Sequence, residues 1–402
     1  MPETKLKFPK GFLIGAASAA HQVEGNNINS DWWYWEQQGK VPKSGDCTDH
    51  YNRFDEDFKL AADLGLNSMR ISIEWARIEP KEGQWDGAAV EHYRKVLKSM
   101  KSHGLTRVVT LWHWTLPQWL SSKGGFENPE SVHAFARFTW FIVKNLGSEV
   151  DLWMTLNEPE IHAGLGYQQG VHPPFKKDLY ASYKVLQNLI KAHKIAFHTI
   201  KQTYPKAMVG IAKNSSYYEP YKKNILNRMV VFFADRISNH YFLEKIKNHL
   251  DFIGVNYYFY NRIHVDLKGY HEMNFNFGQG QLTLKDSTDR SDMGWLLYPK
   301  GLYYLLLDLK KYKKPIYITE NGLADAADSR RGKYLREVLT WVQKAIAQGV
   351  DVRGYLHWAL TDNYEWTQGF GPRFGLIEID YTTQARKVRS SAAILKEIEY
   401  NG

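Results

Sequence analysis

One pattern recurs eight times along this chain of 402 residues: a short apolar or β-branched run, followed by a stretch with helical periodicity. A strand and the helix after it each need a partner layer to cover their apolar faces. Eight such units in one chain, with no break between them, predict an α/β protein folded as a closed (β/α)8 barrel of the TIM type. The predicted strands lie at 11–20, 67–75, 106–114, 152–159, 207–215, 251–258, 315–322 and 352–362.

The stretches between these runs carry apolar side chains at the spacing of a helix face. In the stretch 87–104 the apolar positions are Val90, Tyr93, Val96, Leu97 and Met100. Glycines and prolines mark several of the ends. The predicted helices lie at 55–65, 87–104, 129–146, 179–204, 224–247, 299–312, 333–348 and 383–399.

The alternative architecture is an open, doubly wound sheet, which would carry a glycine-rich phosphate-binding turn after its first strand. That turn is missing here. Gly278-Gln279-Gly280 lies in a polar stretch that no helix follows, so it is predicted as a plain turn. No Pro/Ser-rich or low-complexity linker divides the sequence, and residues 1–402 are therefore expected to form a single barrel domain.

The net charge of +9 raises the question of an anionic partner. Basic and acidic residues are interspersed and form no basic tail, so neither a nucleic acid nor a membrane is expected. Cys47 is the single cysteine, which excludes an internal disulfide and fits a reducing compartment. No run approaches 18 apolar residues and the first residues do not resemble a signal peptide, so we expect a cytoplasmic protein.

Polar and aromatic residues stand at the ends of the predicted strands, which is where barrels of this type carry their chemistry. Carboxylates, amides and indoles around the whole ring are hard to explain as packing. Aromatic faces with convergent polar groups suit a flat, hydroxyl-covered ligand such as a sugar. The residues at these ends include Gln22, Glu24, Arg70, Glu74, His113, Trp114, Asn157, Glu158, Asn256, Tyr257, Tyr258, Glu320, Asn321, Trp358, Asp362, Glu365 and Trp366.

Glu158 and Glu320 are the central pair of carboxylates. Each follows a β-rich run and precedes a breaker, Pro159 in one case and Asn321-Gly322 in the other. Glycoside hydrolysis needs two carboxyl groups flanking one bond, an acid and a nucleophile or base. A single glutamate more often caps a helix or pairs with a surface lysine. Two of them at strand ends of one barrel favour the catalytic role.

Two motifs around these glutamates are specific: Thr155-Leu156-Asn157-Glu158-Pro159 and Ile318-Thr319-Glu320-Asn321-Gly322. Together with His21-Gln22-Val23-Glu24-Gly25 and Arg373-Phe374-Gly375, they make the sequence resemble the family 1 glycoside hydrolases, retaining β-glycosidases of the β-glucosidase type. The resemblance runs nearly end to end. It implies that Glu158 is the acid/base and Glu320 the nucleophile.

The resemblance also implies roles for the neighbours of the two glutamates. Arg70 would keep Glu320 ionised, Tyr258 would donate a hydrogen bond to it, and Asn157 would bind the sugar 2-hydroxyl. The same resemblance implies a substrate pocket that consists of Gln22, His113, Trp114, Trp295, Trp358, Glu365, Trp366 and Phe374. Within it, Trp358 would lie under the sugar ring and Trp295 would contact the leaving group. Hydrolysis of this kind needs only water, so no metal and no cofactor is expected, and His271-Glu272-Met273 lacks the spacing of a zinc helix.

Several features bear on which member of the family the chain resembles. Relatives that cleave 6-phosphorylated sugars typically have Ser at the position of Glu365, and a carboxylate there would repel the phosphate. Thr115 stands where the family usually has Asp. The connections 214–251 and 323–333 are short, so we expect them to be open and sensitive to proteases. The gap they leave is a candidate site for an additional apolar ligand unrelated to the sugar.

Three hypotheses follow from the sequence. The first is a β-glycosidase acting on small β-glucosides, galactosides or fucosides, whose glycone preference stays open. The second is a carbohydrate-binding protein on a barrel scaffold without turnover. The third is a nucleic-acid binder, which only the net charge supports.

Overall fold

A computed structural model of the protein describes residues 5–221, 224–263 and 289–401. Eight parallel strands in chain order form a closed barrel, in which the last strand pairs with the first through Ala17 and Trp358. The prediction of a (β/α)8 barrel is confirmed. The strands are β1 (Leu13–Ala17), β2 (Ser68–Ser72), β3 (Thr106–Trp112), β4 (Leu152–Asn157), β5 (Met208–Pro220), β6 (Ile253–Ile263), β7 (Ile316–Asn321) and β8 (Val352–Trp358).

The longer helices surround the barrel. The predicted face of the second helix is buried as a block, and Asp86 caps this helix by accepting hydrogen bonds from the backbone amides of Ala88 and Ala89. The helices around the barrel are α1 (His50–Asp63), α2 (Gly87–Ser102), α3 (Glu130–Leu146), α4 (Leu179–Thr203), α5 (Ile225–Asp235), α6 (Tyr241–Ile246), α7 (Pro299–Leu309) and α8 (Arg331–Ala347). Short helices in the connections are Ala20–Val23, Asp31–Gln37, Trp75–Ile78, Gln118–Ser121 and Pro159–Ala163.

The prediction of one continuous helix over 224–247 is wrong. A π-helical turn, Arg236–His240, separates α5 from α6. Within this turn Asn239 hydrogen-bonds the backbone of Ser216 through both ends of its amide, at 3.0 and 2.8 Å. These bonds hold the turn against β5, so the chain bulges there instead of continuing as a regular helix.

The prediction of a helix over 383–399 is also wrong. An antiparallel hairpin, Ile377–Asp380 with Ala385–Val388, occupies the first part and a 3-10 helix, Ser390–Glu397, the second. The Asp380 carboxylate accepts hydrogen bonds from the backbone amides of Thr382 and Thr383. These local bonds stabilise a tight turn in place of a helical start. The predicted turn at 278–280 and the motif at 271–273 lie outside the described residues.

The two ends of the described chain meet at the amino-terminal end of the barrel. Lys7–Phe8 and Glu399–Tyr400 pair as a short parallel ribbon, and the Tyr400 hydroxyl lies 3.1 Å from the side-chain nitrogen of Asn67, next to the start of β2. The opposite, carboxyl-terminal end of the barrel is therefore left free for the long connections. Within the described ranges, no helix combines the length and the apolar character needed to cross a membrane.

Candidate active site

The two glutamates of the central pair lie at the carboxyl-terminal end of the barrel. Glu320 is part of β7, where it faces Asn256 of β6 across the strand ladder. Glu158 directly follows β4, and its backbone amide donates a hydrogen bond of 2.8 Å to the carbonyl of Ala212. Its φ of 43° is in the left-handed region, a conformation that is costly for a residue with a side chain. Both side chains line one cavity of about 540 Å³.

Glu320 is held by a cation and a phenol. One guanidinium nitrogen of Arg70 lies 2.5 Å from Oε1 of Glu320, and the Tyr258 hydroxyl donates to Oε2 at 2.9 Å. Arg70 is fully buried, and its other nitrogens donate to Thr110 at 2.9 Å and to Asn157 at 2.7 Å. The charge of Arg70 and the hydrogen bonds from Arg70 and Tyr258 favour the ionised carboxylate of Glu320 over the carboxylic acid.

Glu158 has a different environment. The side-chain amides of Asn256 and Asn214 both donate to its Oε1, at 2.9 and 3.2 Å. The hydroxyl of Thr319 donates to Oδ1 of Asn256 at 2.7 Å, which fixes the Asn256 amide with its nitrogen toward Glu158. Because both amides occupy Oε1, the Oε2 atom of Glu158 is the oxygen left to carry a proton.

The two carboxyl groups also have different pKa values, because their surroundings differ. Burial, and then the charge of Glu320, raise the pKa of Glu158 to about 8. Burial also raises the pKa of Glu320, but the charge of Arg70 and the hydrogen bonds from Arg70 and Tyr258 oppose it. The cation contacts Glu320 and not Glu158, so Glu320 is the first of the pair to ionise.

Asn157 and His113 connect the pair to the sugar side of the cavity. Oδ1 of Asn157 accepts from Arg70 and from Asn256, so its nitrogen is the end that faces Nε2 of His113, at 3.1 Å. An amide nitrogen only donates, so Nε2 of His113 accepts and its proton is on Nδ1. Burial lowers the pKa of His113 well below its usual value, and Nδ1 has no hydrogen-bond partner among the described residues.

The remaining predicted sugar ligands lie beside His113. Nε2 of Gln22 donates to Asn363 at 3.0 Å and lies 3.4 Å from the carboxylate of Glu365, while its Oε1 has no partner within the described part of the chain. Burial, and then the charges of Glu320 and Glu158, raise the pKa of Glu365 to about 8. The rings of Trp358 and Trp366 are nearly parallel to the imidazole of His113, at centroid distances of 5.9 and 6.2 Å.

Aromatic side chains form the opposite side of the cavity. Trp295 contacts Phe259 edge-on with a centroid distance of 4.8 Å, and it lies 5.7 Å from Tyr258 and 6.0 Å from Phe374. The structure thus brings the predicted residues together: all of them except Arg70, which lies beneath Glu320, line the cavity. These are Gln22, His113, Trp114, Asn157, Glu158, Tyr258, Trp295, Glu320, Trp358, Glu365, Trp366 and Phe374.

Sequence reasoning assigned no site role to Asn214, Asn256 and Thr319, although these residues set the surroundings of Glu158. One signal was available, because Asn256 is two positions before Tyr258 and strand periodicity places both on the same face. Thr115, in contrast, does not line the cavity. Its hydroxyl donates to both carboxylate oxygens of the buried Glu74, at 3.0 and 2.8 Å.

A second cavity and a nearby cluster of charged side chains lie away from the cavity that contains Glu158 and Glu320. A second cavity of about 330 Å³ lies next to the short 214–251 connection, where an apolar ligand is expected; that expectation stays a prediction. Its lining includes Tyr217, Tyr218, Val231, Phe232, Tyr304 and Leu305. Near it, Asp235, His240 and Asp308 could together hold a metal ion, but Lys311 already lies 3.1 Å from His240 and from Asp308 and supplies the positive charge.

A (β/α)8 barrel with two unlike carboxyl groups on one sugar-sized cavity defines a glycoside hydrolase. The family described as "Glycosyl hydrolase family 1" matches residues 4–245 and 237–402. The chain belongs to this family.

Known members are similar over nearly their whole length. The chain is 31% identical to beta-glucosidase A of Thermotoga maritima, over 96% of either protein, and 33% identical to a beta-galactosidase of Saccharolobus solfataricus, over 98% of this chain and 95% of the relative. The solved structure of a beta-glycosidase from Pyrococcus horikoshii is 38% identical and superposes with a TM-score of 0.90, covering 98% of this chain and 95% of that one.

Proposed function

We propose that this chain is a retaining β-glycosidase that removes terminal non-reducing β-D-glycosyl residues from small β-glycosides, with residues 1–402 as a single catalytic domain. The observation that carries the proposal is the unequal environment of two carboxyl groups on one cavity. A buried cation and a phenol hydrogen-bond Glu320, whereas the side chains that hydrogen-bond Glu158, among the residues that the structure describes, are neutral amides. A double displacement requires this division between an ionised nucleophile and a protonated acid.

In the first step, a carboxylate oxygen of Glu320 attacks the anomeric carbon while Glu158 gives its proton to the leaving oxygen. The bond to the leaving group breaks, and a covalent glycosyl-enzyme forms with inverted configuration. Formation of this ester removes the negative charge of Glu320. The pKa of Glu158 then falls, because the charge of Glu320 is one of the causes that raise it.

In the second step, Glu158 acts as the base. Its lowered pKa lets it take a proton from water, which attacks the anomeric carbon and releases Glu320. The second inversion restores the β configuration. Arg70 donates to both Glu320 and Asn157, so it can hold the departing carboxylate and the amide that binds the 2-hydroxyl in one arrangement.

The glycone pocket offers both hydrogen-bond donors and acceptors to the hydroxyl groups of a sugar. Nδ1–H of His113 and Oε1 of Gln22 are a free donor and a free acceptor for hydroxyl groups, judged on the residues that the structure describes. Glu365 can donate or accept, because its raised pKa leaves it largely protonated at neutral pH. The relatives named above include a beta-glucosidase and a beta-galactosidase, and these polar groups can serve either epimer at O4.

The activity should show a bell-shaped dependence on pH. Glu158 must be protonated for glycosylation, so kcat/KM should fall as the pH rises through about 8. Glu320 must be ionised, so kcat/KM should also fall on the acidic side, where protonation removes the nucleophile. Release of 4-nitrophenol from its β-glucoside and β-galactoside, followed across the pH range, tests both limbs and the glycone preference. A flat profile with chemistry rate-limiting, or sugar binding without phenol release, would contradict the proposal.

Thr319→Val should move the basic limb without removing a catalytic group. The variant loses the hydroxyl that holds Oδ1 of Asn256, so the amide can turn and cease donating to Glu158. Hydrogen bonds to a carboxylate lower its pKa, and their loss raises it. We therefore expect the basic limb of kcat/KM to shift upward by about half to one pH unit.

Thr319→Ser is the matched control for this shift. It retains the hydroxyl that Thr319→Val loses and removes the methyl group that Thr319→Val keeps, so it should retain the wild-type limb. A fall in kcat with an unmoved limb in Thr319→Val would show that Thr319 serves only packing. Thermal unfolding of both variants separates such a loss of stability from an effect on Glu158.

A further inference from the structure

The apolar face of helix α5 is exposed to solvent. Ile225, Met229, Phe232 and Phe233 are more than half exposed, as is Ile237 in the π turn that follows. They recur at intervals of three and four residues and so share one face of the helix. The buried positions are Asn227, Ala234 and Ser238, which are small or polar, while Leu226, Val230 and Val231 are half-buried. A surface helix of a globular protein normally has the opposite arrangement.

A second group of exposed apolar side chains lies on helix α4. Leu179 and Tyr180 are about two-thirds exposed, and Tyr183 is 54% exposed. The side chain of Gln187 donates to the Tyr241 hydroxyl at 3.0 Å, which joins α4 to α6. Tyr183 is one turn before Gln187, and Ile237 is one turn before Tyr241. The two apolar groups therefore flank the junction of α4 and α6, and we treat them together as one patch.

We call this patch the α4–α5 surface; it consists of Leu179, Tyr180, Tyr183, Ile225, Met229, Phe232, Phe233 and Ile237. Basic side chains lie within and around it. The Arg236 guanidinium lies over the ring of Phe232 at 5.2 Å. The Lys184 ammonium, which also pairs with Glu127 at 2.7 Å, lies over the ring of Tyr180 at 5.2 Å. Arg228 is exposed beside Met229. Over 221–237 the sequence contains four Lys and Arg residues and one acidic residue, Asp235.

We propose that the α4–α5 surface docks onto an anionic lipid bilayer. An exposed apolar stripe that includes phenylalanines, flanked by Lys and Arg, suits the boundary between acyl chains and acidic headgroups. A symmetric dimer through the same patch would place like charges against each other. A helix that lies on a bilayer is distinct from one that crosses it. The interspersed charges of the sequence predict no membrane partner, and the exposed apolar stripe of α5 is the observation that departs from this expectation.

The α4–α5 surface has a defined position relative to the 540 Å³ cavity. Helices α4 and α5 follow strands β4 and β5, whose carboxyl-terminal ends carry Glu158 and Asn214. Both helices therefore begin at the end of the barrel where the 540 Å³ cavity lies. The α4–α5 surface is therefore on the side of the barrel and begins at the same end as the cavity.

Sedimentation with vesicles tests the proposal on the full chain. Vesicles of phosphatidylcholine with about 30% phosphatidylglycerol should bind the protein, and pure phosphatidylcholine vesicles should bind it less. Ile225→Ser combined with Phe233→Ser should lower the partition coefficient by about tenfold or more. Arg228→Gln combined with Arg236→Gln should lower it severalfold and flatten its salt dependence.

Trp140→Ser is the matched control, since Trp140 is half-exposed on α3, outside the α4–α5 surface, and its loss should leave vesicle binding unchanged. Hydrolysis of a soluble aryl glucoside should be unchanged in every variant, which verifies folding. Wild-type protein that stays in the supernatant, or a double serine variant that binds equally well, would overturn the proposal. A concentration-dependent dimer that the same variant dissociates would also overturn it and would assign the surface to self-association.

Discussion

Glu320→Gly should lose hydrolysis of 2,4-dinitrophenyl β-glucoside by roughly four orders of magnitude or more, because no glycosyl-enzyme can form without the nucleophile. The sugar pocket and Glu158 stay in place. Azide should fit the space of the lost carboxylate and attack the anomeric carbon from the same face. The expected product is the α-glycosyl azide, which the anomeric coupling in an NMR spectrum identifies.

Glu320→Gln is the control for this rescue. It also lacks a nucleophile, but its amide fills the space that azide needs, so azide should restore little activity. If Glu320→Gly retained near-wild-type hydrolysis, or if rescue produced the β-azide, Glu320 would not be the nucleophile.

Glu158→Ala should show a loss that depends on the leaving group. A dinitrophenolate leaves without a proton, so glycosylation should survive, whereas for an alkyl glucoside the rate should fall by about two to four orders of magnitude. The covalent intermediate then accumulates, because no base activates water. Azide needs no base and should attack this intermediate from the face opposite Glu320, giving the β-azide.

The basic limb of the pH profile is a second measurement on this variant. It should disappear in Glu158→Ala, because the variant lacks the acid that must be protonated for glycosylation. The same anomer from the Glu158 and Glu320 variants would refute the division of roles, since each product depends on the face its carboxylate occupies.

Much of the fold and of the candidate site could be predicted from the sequence. The strands of a closed barrel read as short apolar runs, and a parallel arrangement places all their carboxyl ends at one edge. Polar residues at the ends of such runs, Glu320 among them, therefore share a cavity even when hundreds of residues separate them. The helix face around Val96 could be predicted as well, because its spacing reflects burial directly.

The surroundings of Glu158 could not be predicted in the same way. Which end of the Asn256 amide faces Glu158 depends on Thr319 of β7, and Asn214 approaches from β5. These contacts arise from the relative stagger of three strands, which local periodicity does not encode. The hairpin at 377–388 was not predicted either, because a side chain decides the local structure there. The carboxylate of Asp380 competes for backbone amides that a helix would otherwise use.

The parallel ribbon of Lys7–Phe8 and Glu399–Tyr400 makes the order of the units along the chain dispensable. A short linker between these neighbours would convert the polypeptide into a circle without stretching any contact. Fresh ends could then be opened in a connection at the amino-terminal end of the barrel, remote from Glu158 and Glu320. Circular permutants of this kind, or tethers to a solid support fixed at the same ribbon, would leave the substrate cavity unobstructed.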